Sequence, residues 1–223
     1  IWCTFDYEQI DLDLSRPVTL RFIGEQLRRL CERGAKMIRL DAVAYTTKRP
    51  GTRCFFLEPE IWAYLAFIAE EVAGYDVELL PEVHEHYTLQ LELAEKGYWV
   101  YDFALPLLIL QTLYDGNAEN LKRWLGMCPR KQITTLDTHD GIGVVDVVDL
   151  MSPEDIEWTK ENLFRRGANV KPIYGSQAYN NLDVYQLNCT YYSALGDDDD
   201  AYLLARAIQF FAPGIPQIYY VGL

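Results

Sequence analysis

Three short apolar runs in this sequence each lead into an acidic residue. The acids are Asp41, Glu82 and Asp140. Apolar runs of this length are typical of buried parallel strands. In (β/α) barrels, the carboxyl ends of such strands form the active site. The pattern therefore predicts a parallel α/β fold in which several carboxylates collect at one end of a barrel.

Strands and helices are predicted to alternate along much of the chain. The strands are expected at 37–43, 77–80, 99–105, 132–136 and 217–221. Helical spacing of apolar residues predicts helices at 20–33, 59–72, 87–95, 107–114, 118–125 and 200–211. Such alternation gives a parallel sheet with right-handed crossovers, but a closed barrel needs eight strands.

The stretch from 141 to about 184 has weaker periodicity and is interpreted as an insertion. Within it, Ser152-Pro-Glu-Asp155 has the composition of a helix start, with Ser152 as the N-cap. The acidic run Asp197–Asp200 is interpreted as a solvated loop before a helix, in preference to a calcium site.

Composition excludes several classes of protein. The formal net charge of −13 argues against a nucleic-acid partner, because phosphate backbones attract clustered Lys and Arg. No run is apolar enough to span a membrane, and no basic and apolar leader is present, so no membrane partner is expected. Five cysteines without a CxxC spacing disfavour a disulfide framework or a zinc site, and a reducing cytoplasm is the expected location.

The first acidic segment pairs Arg39 with Asp41. Residues two apart in a strand share a face, so the guanidinium should lie beside this carboxylate. An oriented, ionised carboxylate suits a nucleophile that attacks a sugar carbon. A purely structural Arg–Asp pair is the alternative at this point.

The other two acids also have a functional and a structural interpretation. Glu82 follows Pro81 at the end of a strand, where a general acid or a surface glutamate would both fit. Asp140 follows His139 and precedes Gly141, so it is either an inward-facing acid or a helix cap. The spacing His84-Glu-His86 allows a metal site, but no third ligand is evident, so none is predicted.

Three segments together resemble the sucrose phosphorylase branch of the α-amylase superfamily. They are Arg39-Leu-Asp-Ala-Val-Ala-Tyr45, Pro81-Glu-Val-His-Glu-His-Tyr87 and Leu136-Asp-Thr-His-Asp-Gly-Ile-Gly-Val144. Supporting stretches are Thr4–Gln9, Ile10–Asp13, Val100–Pro106, Asn181–Gln186, Thr190–Gly196 and Pro213–Gly222. The resemblance covers essentially the whole chain.

The resemblance implies a retaining double displacement without a cofactor or a metal. Asp41 would be the nucleophile, Glu82 the general acid/base and Asp140 the transition-state stabiliser. The implied glucosyl-binding residues are Arg39 and His139, and the implied acceptor-side residues are Phe5, Gln9, Tyr45 and His84. The implied reaction converts sucrose and phosphate to glucose 1-phosphate and fructose. Retention also implies that the carboxyl groups of Asp41 and Glu82 lie about 5–5.5 Å apart.

The same resemblance implies a TIM (β/α)8 barrel of the α-amylase type, present as its C-terminal part from about strand 4 to strand 8. Residues 1–15 would end an inserted domain, 16–140 and 185–223 would form the partial barrel, and 141–184 would be a small insertion after strand 7. Such a catalytic-domain fragment is expected to be inactive alone. Its strand edges would be exposed to self-association or to complementation by another chain.

Two other interpretations stay open. One is a related α-transglucosidase or hydrolase whose acceptor is not phosphate. The other is a non-catalytic barrel remnant that keeps the acids but does not bind glucose.

Overall fold

A computed structural model describes residues 1–171 and 186–222. The chain forms two compact units. The described residues of the first unit are 1–83, and those of the second are 84–171 and 186–222. Residues 185 and 223 of the predicted barrel segment 185–223, and all of the supporting stretch Asn181–Gln186 except Gln186, lie outside the described residues.

The first unit is built on a β-α-β motif. Its elements are helix α1 (Pro17–Glu32), strand β1 (Met37–Leu40), a 3-10 turn (Val43–Tyr45), helix α2 (Glu60–Val72) and strand β2 (Glu78–Pro81). The strands are parallel, with Arg39 opposite Leu80 and Leu40 opposite Pro81. The apolar faces of the two helices supply buried side chains, among them Leu27, Ile61 and Leu65.

Strand β1 is shorter than the sequence predicted. It ends at Leu40, and the prediction of a strand to Val43 is wrong. The backbone turns at Ala42, which adopts a left-handed conformation with φ 46° and ψ 32°. Because this turn leads directly into the 3-10 helix, Asp41 is the last residue before the chain changes direction.

The second unit contains the other helices and strands of the described chain. In chain order they are α3 (Tyr87–Glu95), β3 (Val100–Asp102), α4 (Leu105–Asp115), α5 (Glu119–Met127), β4 (Gln132–Thr134), β5 (Ile142–Gly143), a 3-10 turn (Val145–Val147), α6 (Pro153–Arg165), β6 (Asn169–Lys171), β7 (Gln186–Asn188), α7 (Tyr191–Ala194), α8 (Asp199–Phe211), β8 (Ile215–Pro216) and a 3-10 turn (Tyr220–Gly222).

Two small sheets organise this second unit. Strands β3, β4 and β8 form a parallel sheet in that order, and β5, β7 and β6 form an antiparallel one. Helix α4 lies at the centre of the core, with its first seven residues buried. In neither unit do the described strands close into a barrel, so the structure shows a partial α/β fold.

Two boundary predictions in this unit are wrong. The strand predicted at 99–105 ends at Asp102, and Pro106 lies in the first turn of α4. Proline is tolerated there, because the first N–H groups of a helix have no partner within it. The strand predicted at 217–221 is instead Ile215–Pro216, followed by a 3-10 turn.

The predicted helix start at Ser152 is confirmed. Helix α6 begins at Pro153, and the Ser152 hydroxyl accepts the Asp155 N–H at 3.0 Å. Residues 172–185, which belong mostly to the predicted insertion, lie outside the described residues.

Helix α8 buries polar side chains and exposes apolar ones. Arg206 and Gln209 are buried, whereas Leu203 and Phe211 are exposed. Gln209 donates to the carbonyls of Thr134 and Gln217, so the polar side chains of this helix fasten it to the carboxyl end of β4. Over the described ranges, no helix combines the length and the hydrophobicity that a membrane crossing requires.

Candidate active site

The carboxyl ends of β1 and β2 bring two of the predicted acids to one cation. Nη1 of Arg39 lies 2.5 Å from Oδ1 of Asp41, and Nη2 lies 2.6 Å from Oε1 of Glu82. The parallel register explains this arrangement, because Asp41 and Glu82 each directly follow a paired residue at the strand ends. The two carboxylates are therefore neighbours, joined through a single guanidinium group.

A backbone donor holds the second oxygen of Glu82. The Ala42 N–H donates to Oε2 of Glu82 at 2.9 Å. This N–H points toward Glu82 because Ala42 turns through the left-handed region, which costs a residue with a Cβ some conformational energy. A strained backbone next to an acidic pair is typical of functional sites.

The two acids differ sharply in exposure. The Asp41 side chain is 71% exposed, whereas that of Glu82 is 10% exposed. An exposed, ion-paired carboxylate can reach a bound molecule directly. A buried carboxyl held at both oxygens has a fixed orientation, as proton transfer at a defined atom requires.

An aromatic cluster in the same unit contains two of the predicted acceptor-side residues. The Tyr45 ring makes edge-to-face contacts with Phe5 at 5.3 Å and with Phe55 at 4.9 Å between centroids. Phe5 is 56% exposed, so the cluster has an open aromatic face. Gln9 is exposed, and its N–H donates to the Asp6 carbonyl at 3.0 Å in a turn.

A partly buried lysine contacts two residues of the N-terminal segment that contains Phe5. Nζ of Lys48 lies 2.8 Å from Oδ2 of Asp11, and it also donates to the Thr4 hydroxyl at 2.5 Å. Burial acts to raise the pKa of Asp11, but hydrogen bonds from Lys48 and Thr4 outweigh it and lower that pKa. The sequence offered no signal for this contact, since Lys48 and Asp11 lie far apart along the chain.

The third predicted acid lies in the second unit, beyond the end of β4. Oδ2 of Asp140 is 3.4 Å from Nε2 of His139, with the Asp140 side chain 26% exposed and that of His139 61% exposed. The Asp140 N–H donates to the Thr138 hydroxyl at 3.1 Å, which forms a local turn. Asp140 is not at a helix end, so the capping alternative does not apply.

A buried ion pair anchors the start of this segment. Oδ1 of Asp137 accepts from Nη2 of Arg206 at 2.9 Å, and Oδ2 accepts the Tyr191 N–H at 3.2 Å. An ideal Cβ on Gly222 would overlap the same carboxylate. Sequence reasoning missed Asp137, although it also follows an apolar run in the segment that contains Asp140.

The two histidines at 84 and 86 have separate carboxylate partners in the second unit. Nδ1 of His84 is 3.5 Å from Oδ2 of Asp146, and Nε2 of His86 is 3.1 Å from Oδ2 of Asp149. Across residues 1–171 and 186–222, no group of three or more His, Cys, Asp or Glu side chains could hold a metal ion.

Known proteins similar to this chain are phosphorylases of glucosides. No protein-family model matches the chain. It is 54% identical over 222 residues to the sucrose phosphorylase of Streptococcus mutans. The aligned region covers 100% of this chain and 46% of that protein. It is 45% identical over 226 residues to the glucosylglycerol phosphorylase of Marinobacter adhaerens, again over 100% of this chain and 47% of that protein. The chain thus spans about half the length of the curated relatives it matches.

Two solved structures are also similar to this chain. The crystal structure of sucrose 6F-phosphate phosphorylase from Thermoanaerobacter thermosaccharolyticum matches with a TM-score of 0.92 and 46% identity, over 99% of this chain and 46% of that one. The α-amylase of H. orenii matches with a TM-score of 0.64 and 16% identity, over 98% of this chain and 36% of that one. The second likeness concerns the fold alone: this partial α/β fold resembles part of the α-amylase fold.

Proposed function

We propose that this chain, a homologue of the sucrose phosphorylases over its whole length, supplies the glucosyl-transfer groups of a retaining phosphorylase. The proposed reaction converts sucrose and phosphate to α-glucose 1-phosphate and fructose. Asp41 is the nucleophile, Glu82 the general acid/base and Asp140 the stabiliser of the transition state. Arg39 and His139 bind the glucosyl unit, and Phe5, Gln9, Tyr45 and His84 lie on the acceptor side.

In the first step, an oxygen of Asp41 attacks the anomeric carbon of the glucosyl unit. The glycosidic bond breaks, its oxygen takes the proton of Glu82, and fructose leaves. The product is a β-glucosyl ester on Asp41, and Glu82 is now an anion. A carboxyl group with a fixed orientation suits this transfer, because the proton must reach one defined oxygen.

In the second step, a phosphate oxygen attacks the same carbon and displaces Asp41. Glu82 takes up the proton that the attacking phosphate loses, which restores the starting state of both acids. Two inversions give net retention, so the product is α-glucose 1-phosphate. The glucosyl–enzyme bond breaks as the glucosyl–phosphate bond forms, and no redox partner is needed.

The observation that carries the proposal is the shared guanidinium of Arg39. It contacts Asp41 at 2.5 Å and Glu82 at 2.6 Å, so the nucleophile and the acid/base stay close neighbours before any substrate binds. Pre-organisation of this kind lowers the cost of reaching the reactive geometry. A retaining enzyme needs this proximity, because its two carboxyl groups act on one carbon and its adjacent oxygen.

We also propose the barrel assignment that follows from the same relationship. Residues 16–140 and 185–223 are assigned to strands 4 to 8 of an α-amylase-type barrel, 1–15 to the end of an inserted domain, and 141–184 to a small insertion. Because the relatives are about twice as long as this chain, we expect these 223 residues alone not to turn over sucrose. Exposed strand edges would then favour self-association or complementation.

A chimera tests the proposal directly. Residues 1–223 replace the matched 222 residues of the Streptococcus mutans sucrose phosphorylase, and release of glucose 1-phosphate from sucrose and phosphate is measured. We expect Asp41→Asn to abolish transfer and Glu82→Gln to slow it by about 10²–10⁴-fold. Matched controls are Asp76→Asn and Glu92→Gln, two carboxylates paired with lysines outside the proposed site. Full activity of either site variant would contradict the proposal.

Azide distinguishes the roles of the two acids. With α-glucosyl fluoride, whose leaving group needs no protonation, Glu82→Ala should still form the glucosyl ester, and azide should then give α-glucosyl azide. Asp41→Gly should instead let azide attack the substrate directly and give β-glucosyl azide. The same anomer from both variants would refute these assignments.

The relatives leave three acceptors for a direct comparison. A sucrose 6(F)-phosphate phosphorylase and a glucosylglycerol phosphorylase are 46% and 45% identical to this chain, against 54% and 47% for two sucrose phosphorylases, so fructose 6-phosphate and glycerol are candidates beside fructose. Parallel assays of the chimera with sucrose, sucrose 6F-phosphate and glucosylglycerol decide among the three. Free glucose without glucose 1-phosphate would instead indicate a hydrolase or a transglucosidase with a non-phosphate acceptor. A barrel remnant would fail to bind sucrose in a calorimetric titration.

A further inference from the structure

The His84 ring is held in one plane by a stack of aromatic rings. Its centroid lies 3.6 Å from that of Phe103, with 14° between the ring planes. Phe103 in turn stacks on Tyr101 at 4.9 Å and 15°. His84 is 8% exposed, so the imidazole is fixed in orientation and not free to rotate.

A buried carboxylate lies at one edge of this ring. Oδ2 of Asp146 is 3.5 Å from Nδ1 of His84, and Asp146 is 2% exposed. Gly143 makes room for this pair. An ideal Cβ at position 143 would overlap Oδ2 of Asp146 and lie 3.3 Å from Nδ1 of His84. Any side chain at 143 would therefore push the carboxylate away from the imidazole.

We infer that Asp146 is a positioning residue that fixes the tautomer of His84. An ionised carboxylate only accepts hydrogen bonds, so the neutral imidazole carries its proton on Nδ1 and keeps a lone pair on Nε2. Carboxylates set the tautomer of metal-bound and catalytic histidines in the same way. The inference rests on the proposed function in one respect: the Nε2 lone pair accepts from a hydroxyl group of the acceptor sugar.

His86, two residues further along, has the opposite arrangement. Its Nε2 faces Oδ2 of Asp149 at 3.1 Å, while Nδ1 accepts from the Thr88 N–H at 3.4 Å. These contacts place the proton of a neutral His86 on Nε2. The structure therefore assigns opposite tautomers to two histidines of one segment, and His86 serves as an internal control.

Nitrogen NMR of the 223-residue chain tests the assignment without any turnover. Two-bond ¹H–¹⁵N spectra at about pH 8.5, where an ordinary imidazole is neutral, distinguish protonated from unprotonated ring nitrogens. The chain has three histidines, so spectra of His86→Gln and His139→Gln identify the His84 signals. We expect a protonated Nδ1 and an unprotonated Nε2 for His84, and the reverse for His86.

Four variants separate positioning from mere packing. Asp146→Ala should replace the single His84 tautomer by a mixture, whereas Asp146→Asn should retain it, because the amide oxygen still accepts. Gly143→Ala should also give a mixture while leaving both partners chemically intact, and Asp149→Ala should change His86 alone. Unfolding midpoints confirm that each variant is folded. A protonated Nε2 in the parent chain, or an unchanged spectrum in Asp146→Ala, would overturn the inference.

The acceptor contact is tested in the chimera. In the direction of sucrose synthesis, Asp146→Ala should raise the KM for fructose about three- to tenfold, the value of one neutral hydrogen bond, and leave the KM for glucose 1-phosphate unchanged. Equal changes in both constants would contradict the acceptor contact. A chimera without any glucosyl transfer counts against the proposed function, while the NMR result still decides the tautomer.

Discussion

Replacement of the buried carboxyl group of Asp102 should make the stability of this chain less dependent on pH. Asp102 is fully buried at the end of β3. It accepts from Nε1 of Trp124 at 3.0 and 3.1 Å, from the Leu105 N–H at 3.0 Å and from Nε2 of Gln132 at 3.1 Å. Burial raises the pKa of Asp102 to about 7; these donors act to lower it, and the charge of Asp146 adds to the rise.

The sign and size of the effect follow from this pKa. The folded chain holds the Asp102 proton more tightly than the unfolded chain, in which the pKa is near its ordinary value of 3.8. The stabilisation is therefore fully present below about pH 4 and is lost as the pH rises through about 7. The two pKa values differ by about 3, which corresponds to about 4 kcal/mol of unfolding free energy.

The variant Asp102→Asn isolates this contribution. Its amide oxygen can still accept from Trp124 and Leu105, but its NH2 group faces the Gln132 donor, which adds a pH-independent cost of about 1–3 kcal/mol. The expected result is therefore a difference in how the unfolding free energy changes with pH. Relative to the variant, the parent should lose about 4 kcal/mol of unfolding free energy between about pH 4 and about pH 8.

Chemical denaturation of both proteins at closely spaced pH values measures the slope. Asp200→Asn, which alters an exposed carboxylate in the first turn of α8, should run parallel to the parent. If the unfolding free energies of the parent and of Asp102→Asn differ by the same amount at every pH, the reasoning is refuted. A difference that changes in the opposite direction would also refute it, because it would mean that the donors outweigh burial.

Substitutions at three further positions test other contacts by the same unfolding assay. Arg206→Met should cost about 3–5 kcal/mol, because it leaves the buried Asp137 carboxylate without its cation; a loss below about 1 kcal/mol would contradict the ion-pair geometry. Ala42→Gly should be neutral or stabilising, whereas Ala42→Val should destabilise by more than about 1 kcal/mol, because φ is 46° there; equal effects would argue against the left-handed turn. Ser152→Ala should cost about 1 kcal/mol and Ser152→Asp almost nothing, since either oxygen caps α6; equal losses would argue against capping.

Local sequence patterns predicted the existence of most elements better than their ends. Helix α3 was predicted with its observed bounds, and β1, β2, β3 and β4 lie within or near their predicted ranges. The errors occur where the backbone departs from what apolar periodicity can report. Ala42 turns left-handed inside the range 37–43 that was predicted as a strand, and Pro106 lies in a helix that was predicted to start at 107. The Ala42 N–H bonds to Glu82, which is distant in the sequence, and a local pattern does not contain such a contact.

The contacts of the candidate site also differ in whether the sequence alone could predict them. The contact between Arg39 and Asp41 could be predicted, because residues two apart at a strand end share a face, whereas the contact between Arg39 and Glu82 could not, because it joins two strands. The partners of Asp137 and Asp146 could not be predicted, since they lie 69 and 62 residues away in the sequence. Pairings of this kind require the fold itself.

The buried face of helix α8 could not be predicted from the periodicity of its apolar residues. The sequence predicted a helix at 200–211, but in the structure the apolar Leu203 and Phe211 are exposed, while the polar Arg206 and Gln209 are buried. Burial of a guanidinium is tolerated only if its charge and its donors are matched. Asp137 matches the charge, the Tyr202 hydroxyl accepts from Nε of Arg206 at 2.9 Å, and the Gln209 amide oxygen accepts from its Nη1 at 3.0 Å. The orientation of the helix is thus set by polar partners at the carboxyl end of β4, the same end from which His139 and Asp140 follow.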